Sequence, residues 1–213
     1  RLDPLTRVSN RRELQDWLAR ECPALRAELD AGSSADALYF FMIDLDNFKR
    51  INDDYGHQAG DTALVHCADS LRALCGDRDL LVRWGGEEFV LVTRLPRDGA
   101  AEALAERLRA AVAAQRFALE QHELALTCSI GFAPWPLVAA WPALGDWEQS
   151  VGLADRCLYA AKGAGKNAWV GLGAGAAPDR PRVQALLAGG APEQLGDSVR
   201  ILHSTAQPPH FAR

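Results

Sequence analysis

What the sequence lacks narrows its reading first. Five of its 213 residues are cysteine (Cys22, Cys67, Cys75, Cys128, Cys157), scattered, odd in number and without a Cys-x-x-Cys pair. That spacing supports neither a disulfide framework nor a zinc site, so reduced core thiols are expected. No apolar run approaches the roughly 20 residues of a membrane-spanning helix. Lys and Arg number 23 against 28 Asp and Glu, a formal net charge of −5. A broad nucleic-acid footprint needs clustered basic residues, so any phosphate recognition here must be local. There is no internal repeat, no secretory leader pattern and no initiator Met. The expectation is a cytosolic segment of a longer protein, without direct membrane contact or a nucleic-acid partner.

What is present suffices for an ordinary core: nearly half of the residues are apolar. Asp3-Pro4-Leu5-Thr6 begins a turn, and Ser9 or Asn10 can cap a helix over residues 11–29 carrying Leu14, Trp17, Leu18 and Leu25. Residues 38–43 form a continuous apolar run of strand length, the pattern of a central strand buried on both faces. Residues 47–55 and 60–74 read as a helix pair interrupted at Gly56. Residues 98–116, rich in Ala, Leu, Arg and Glu, predict an amphipathic helix capped by Asp98, and residues 124–133 predict a strand. Residues 134–145 hold three prolines and two tryptophans and read as a rigid insertion. A helix over residues 147–161 and a closing strand at Trp169-Val170 follow. Beyond Gly171 a Gly/Ala/Pro-rich tail, 171–213, is expected to be partly ordered at most, with 171–182 as a linker. Its residues 183–187 and 199–202 are apolar enough to dock. This order describes an α+β domain: a mixed, mainly antiparallel central sheet flanked by helices.

The chemistry gathers at two places. Leu80-Leu81-Val82 and Phe89-Val90-Leu91-Val92 flank Arg83-Trp84-Gly85-Gly86-Glu87-Glu88 and predict a hairpin turning at Gly85-Gly86. Glycine there leaves room for a phosphate to reach backbone N–H groups. Strand alternation would let only one of Glu87 and Glu88 face a ligand; an ordinary solvated hairpin is the plainer alternative. Upstream, Asp44 stands where the buried strand stops, with Asp46 two residues on. Acids at a strand end beside a carboxylate hairpin suit a hard cation shared with substrate phosphates. Asp46 is expected merely to cap the next helix. His57 and His66 read as helix and turn residues, and Trp135, Trp141 and Trp147 as packing of the insertion.

The run Phe40-Phe41-Met42-Ile43-Asp44-Leu45-Asp46-Asn47-Phe48-Lys49 is followed by Ile51-Asn52-Asp53, Gly56-His57 and Gly60-Asp61. Together with Gly85-Gly86-Glu87-Glu88-Phe89, these resemble the GGDEF family in its GGEEF form. Asp3-Pro4-Leu5-Thr6, Asn10-Arg11-Arg12, Ser129-Ile130-Gly131, Ala154-Asp155, Leu158-Tyr159, Ala161-Lys162 and Gly165-Lys166-Asn167 extend the likeness over about residues 3 to 170. The division implied is a GGDEF domain over 1–170 and the tail beyond.

The resemblance implies a nucleotidyl cyclase or palm-like fold and a diguanylate cyclase, condensing two GTP into cyclic di-GMP and two pyrophosphates. It implies Asp44, the Leu45 carbonyl and Glu87 as metal ligands for two Mg²⁺ (or Mn²⁺) per GTP. Glu88 would act in catalysis or metal binding. The backbone at Asn47 and Phe48, with Lys49, Lys162 and Lys166, would meet the phosphates, while Asn52 and Asp61 would read guanine; Gly85 and Gly86 complete the substrate contacts. Many family members have Arg at the position of Lys166, and a lysine grips as a point charge rather than a fork. One GTP per subunit of a facing homodimer, with an input domain upstream, completes the implication. The Trp/Pro insertion, the Trp147 helix start and the Ala168-Trp169-Val170-Gly171 ending resemble GGDEF domains at the cytoplasmic end of inner-membrane sensors.

The family's product-inhibition motif, Arg-x-x-Asp, falls here on Gly76-Asp77-Arg78-Asp79. Only Asp79 survives, which implies weak inhibition unless Arg72 or Arg78 substitutes. Two other readings stand beside the cyclase: a non-catalytic module binding GTP or cyclic di-GMP, and a cyclase of different nucleotide choice. Retained hairpin acids disfavour the first, and Asp61 the second.

Overall fold

Strand β1 (Ala37–Leu45) is buried at every position and forms the middle of the sheet. The computed structural model describes residues 1–119 and 122–212. β1 pairs antiparallel with β3 (Glu88–Leu95) on one side and β6 (Cys128–Trp135) on the other. β2 (Leu80–Gly85) closes the hairpin with β3, and β7 (Trp169–Ala174) runs parallel to β6. β8 (Val199–His203) adds an outer antiparallel strand, giving the order β2-β3-β1-β6-β7-β8. The architecture is the expected α+β one.

Alternation along β1 sorts the helices. Its residues Tyr39, Phe41 and Ile43 pack with α2 (Phe48–Tyr55), α3 (His57–Arg72) and α4 (Ala100–Ala114). Leu38, Phe40 and Met42 face α1 (Arg11–Asp30), capped by Asn10, and α5 (Trp147–Gly163). Asp44 continues the second set and so meets α5. Helix α5 lies directly on β6: a Cβ on Gly131 would fall 2.0 Å from the Ala154 carbonyl oxygen and 2.1 Å from the Leu158 nitrogen. An Asp146–Gln149 capping box fixes where that helix starts.

Four expectations need correction. Arg116 does not end a helix, and Leu124 and Ala125 do not begin the long strand: β4 (Arg116–Leu119) pairs antiparallel with β5 (His122–Ala125). Helix α4 begins after Gly99, whose φ of +98° suits glycine, and Asp98 only accepts from the Ala100 N–H at 3.3 Å. Pro134 and Trp135 belong to β6, so the insertion starts at Pro136, after a cis peptide bond. Residues 171–182 are not a bare linker: β7 reaches Ala174 and α6 (Arg180–Leu187) starts behind an Asp179 cap. The apolar tail segments dock because Val183 and Leu186 join the α1/α5 side of the core, while β8 satisfies β7's outer edge.

The tryptophans pack the insertion as expected: Trp147 stacks on Phe40 and the Trp135 indole donates to the Gly145 carbonyl. His66 lies against Phe117. All five cysteines are free, with their thiol pKa values raised, chiefly by burial.

Because backbone rather than a flexible side chain occupies the space at Gly131, Gly131→Ala is expected to destabilise the fold by about 1–3 kcal/mol. Urea unfolding checks this; an unchanged midpoint would show that α5 can slide away.

Candidate active site

The hairpin turns one residue later than its two glycines suggest. Gly85 still pairs with Glu88, after a register irregularity around Trp84, so the connecting residues are Gly86 and Glu87. Gly86 has a positive φ of 23°. Arg11 sits at the irregularity: its guanidinium lies 4.0 Å over the Trp84 ring and donates to the Trp84 carbonyl. Arg83 ties the turn from the other side, donating to the Gly86 carbonyl (2.9 Å) and pairing with Asp3 (3.3 Å). Partial burial works to raise the Asp3 pKa, but hydrogen bonds from Thr6 and the Arg83 charge leave it lowered. Since Glu87 sits in the turn and not in the strand, alternation does not set it against Glu88. Both carboxylates act on Asp44.

Asp44 is 5% exposed and directly opposite Glu88 on β3. Burial pushes its carboxyl up to about 6, with the negative charges of Glu87 and Glu88 adding to the rise and the Lys162 ammonium opposing it. Lys162, in the last turn of α5, donates to Asp44 Oδ2. Beyond it the chain reverses through left-handed Lys166 (φ 64°) and Asn167 (φ 45°), and Lys166 Nζ donates to Asn47 Oδ1 at 2.7 Å. Asn47 is itself left-handed at the N-terminus of α2, and its side chain does not cap that helix. The Leu45 N–H approaches the Glu87 carbonyl at 3.4 Å, joining strand end to turn.

The fold thus gathers Asp44, Leu45, Asn47, Gly85, Gly86, Glu87, Glu88, Lys162 and Lys166. Phe48 is buried and Lys49 exposed on the first turn of α2. Asn52 and Asp61 lie on the α2–α3 elbow: a Cβ on Gly60 would fall 1.9 Å from Asn52 Oδ1, and Asp61 is exposed. Asp79 folds onto its own loop, accepting from the Gly76 N–H at 2.7 Å. A cavity of about 490 Å³ beside Tyr55, Gln58 and His122 contains none of the expected site residues.

Sequence reasoning missed Asp46. It is 4% exposed and accepts from the Thr127 hydroxyl (2.7 Å), the Ser129 hydroxyl (2.6 Å) and the Asn167 N–H (2.9 Å). It therefore does not cap α2. Its i+2 spacing from Asp44, on the same strand face, was the available signal.

The donor set fits a hard divalent cation: carboxylates and a main-chain carbonyl, beside a buried acid crowded by like charge. Among the described residues no three His, Cys, Asp or Glu side chains form a metal-holding group, so a ligand's phosphates would complete the shell.

Comparison with known proteins agrees with this fold. A family model described as "Diguanylate cyclase, GGDEF domain" matches residues 1–168. Diguanylate cyclase DgcP of Pseudomonas aeruginosa is 39% identical over 165 residues, 78% of this chain and 23% of DgcP. The GGDEF domain of DgcB from Caulobacter crescentus, solved in complex with c-di-GMP, superposes with a TM-score of 0.65 at 28% identity, covering 78% of this chain and 89% of that one. The active GGEEF domain of a Vibrio cholerae diguanylate cyclase superposes at 0.61 with 31% identity, covering 75% and 94%. The chain belongs to the GGDEF domain family. It spans less than half the length of these first curated relatives.

The folded Asp44 value near 6 lies above the ordinary 3.8, so ionising this side chain costs stability. In the metal-free protein that stability is complete below about pH 4 and is lost as pH rises through about 6. Asp44→Asn is therefore expected to raise the thermal midpoint at pH 7.5, with the gain disappearing near pH 4. Equal gains at both pH values would rule out burial of charge as the cause.

Proposed function

We propose that the chain is a diguanylate cyclase domain that condenses two GTP into cyclic di-GMP and two pyrophosphates. The observation carrying this is the buried Asp44 carboxylate, crowded by Glu87 and Glu88 and neutralised by Lys162, in a chain of the GGDEF family. Asp44, Glu87 and the Leu45 carbonyl would hold Mg²⁺ or Mn²⁺, two ions per GTP. Such ions supply Lewis-acid activation of a ribose 3′-hydroxyl and neutralise charge on the departing pyrophosphate.

The protein's own groups do the rest. Lys162 and Lys166 now face Asp44 and Asn47, and both ammonium groups are placed to turn to the β and γ phosphates when GTP arrives. Backbone N–H groups at Asn47 and Phe48, at the positive end of α2, receive phosphate oxygens, with Lys49 beside them. Gly85 and Gly86 leave the hairpin open to a close approach. Glu88, opposite Asp44, completes the negative wall that orients the cations. Asn52 and Asp61 read the guanine edge, since a carboxylate accepts from N–H donors that adenine does not present.

Each domain supplies one nucleotide, so the 3′-oxygen of one GTP reaches the α-phosphorus of the other only in a facing homodimer. An input region outside this chain would bring the two together. Among the described residues no helix is long and apolar enough to cross a membrane. We place the reaction in the cytoplasm, where GTP is available.

Two tests follow. Incubated with GTP and Mg²⁺, the chain should yield cyclic di-GMP by mass, more than linearly with protein concentration, and none of its adenine counterpart from ATP. Glu87→Ala and Asp44→Ala should each lower the rate by on the order of 100-fold or more. Nucleotide binding without product would instead identify a binding module.

Product should inhibit weakly through the Asp79 loop. Arg72 is already bonded to the Thr6 carbonyl (2.7 Å) and Asp69 (2.6 Å), which disfavours it as the missing arginine. Added cyclic di-GMP should lower the initial rate only slightly. Inhibition abolished by Arg78→Ala would show that Arg78 has taken the role.

A further inference from the structure

Lys166 and Asn167 are consecutive non-glycine residues in left-handed backbone, and lysine has no side-chain means of easing that conformation. Within the turn the Lys166 N–H donates to the Ala161 carbonyl at 3.2 Å, and two tethers hold it from outside. From the sheet side, Asp46 Oδ2 accepts the Asn167 N–H at 2.9 Å, while Thr127 and Ser129 hydroxyls fix the same carboxylate from β6 and the loop before it. From the helix side, Arg109 on α4 donates to Asn167 Oδ1 at 2.8 Å. Arg109 is in turn fixed by Glu106, through bonds of 3.0 and 2.6 Å, and Glu106 also accepts from the Trp169 indole at 3.0 Å. Between these tethers Lys166 reaches Asn47.

We propose that Asp46 and Arg109 are positioning residues: together they clamp Asn167 and thereby aim the Lys166 ammonium at the triphosphate site. This rests on the functional reading above. Neither side chain needs to touch substrate. Asp46 sits two residues beyond Asp44, just past the end of β1, and faces the turn, so the strand end places both the metal-site acid and, through Asn167, a phosphate-binding cation. Arg109 makes α4, on the opposite face of the sheet, part of the same device.

The test is a coupling measurement with a non-hydrolysable GTP analogue and Mg²⁺, by calorimetry. Asp46→Ala is expected to weaken binding about 10–100-fold, the usual scale for a group that orients a ligand-contacting one. In the Lys166→Ala background it should cost little more, because the lysine it aims is already gone. Asp46→Asn keeps an oxygen for Thr127 and Asn167 and can donate to Ser129, so it should bind within about threefold of the parent. Arg109→Leu should show a smaller loss with the same dependence on Lys166. In turnover, the loss should fall on KM for GTP more than on kcat.

Hydrogen exchange at the Asn167 amide gives a readout without nucleotide: Asp46→Ala should remove its protection, and Asp46→Asn should retain it. Losses that multiply with Lys166→Ala, or protection unchanged in Asp46→Ala, would overturn the clamp. A parent chain that binds no GTP analogue would overturn the functional reading, while Asn167 exchange still decides the clamp.

Discussion

A carboxylate buried at the end of a central strand needs a counter-charge, and in this protein much of the site follows from how Asp44 obtains one. Lys162 provides it from the last turn of α5, which obliges that helix to arrive at the strand end in the correct phase. Two acids in the neighbouring hairpin keep the pocket short of positive charge even so. The metal-free site is thus held in electrostatic tension. On the functional reading proposed above, a divalent cation with a triphosphate would relieve it by giving the acids a stronger partner and the lysine a new one.

Helix α5 reaches that position through packing contacts that carry no charge. The absence of a side chain at Gly131 lets α5 rest on β6 at backbone contact distance, and the Asp146 capping box fixes its other end. Small residues on the helix, Ala154, Ala160 and Ala161, are buried at the same interface. Lys162 is carried to the strand end by the packing of its helix, and its bond to Asp44 completes the placement.

The sequence makes the sheet's middle, the helices and the acids readable, because each leaves a periodic or compositional trace. The apolar run into β1 could only be a doubly covered strand, and alternation then placed Asp44 on one face. The β4–β5 hairpin left no such trace: four-residue strands are too short to establish a period. Gly85-Gly86 pointed to the hairpin but not to its register, and Arg11, seventy-three residues away, sits over Trp84 where that register shifts. Asp46 was misread for a related reason. A local rule made it a helix cap, whereas its three partners lie some eighty to one hundred and twenty residues further along the chain. The tail's apolar segments were visible, but not the strand edge that β8 covers.

Arg83 joins Asp3 to the carbonyl of Gly86, so the turn that opens the described chain and the turn that bears Glu87 share one rigid guanidinium. A planar group with five donors can engage a carboxylate and a carbonyl at the same time. Loss of Arg83 would release both turns at once, so the hairpin acids share a fastening with the Asp3-Pro4-Leu5-Thr6 turn.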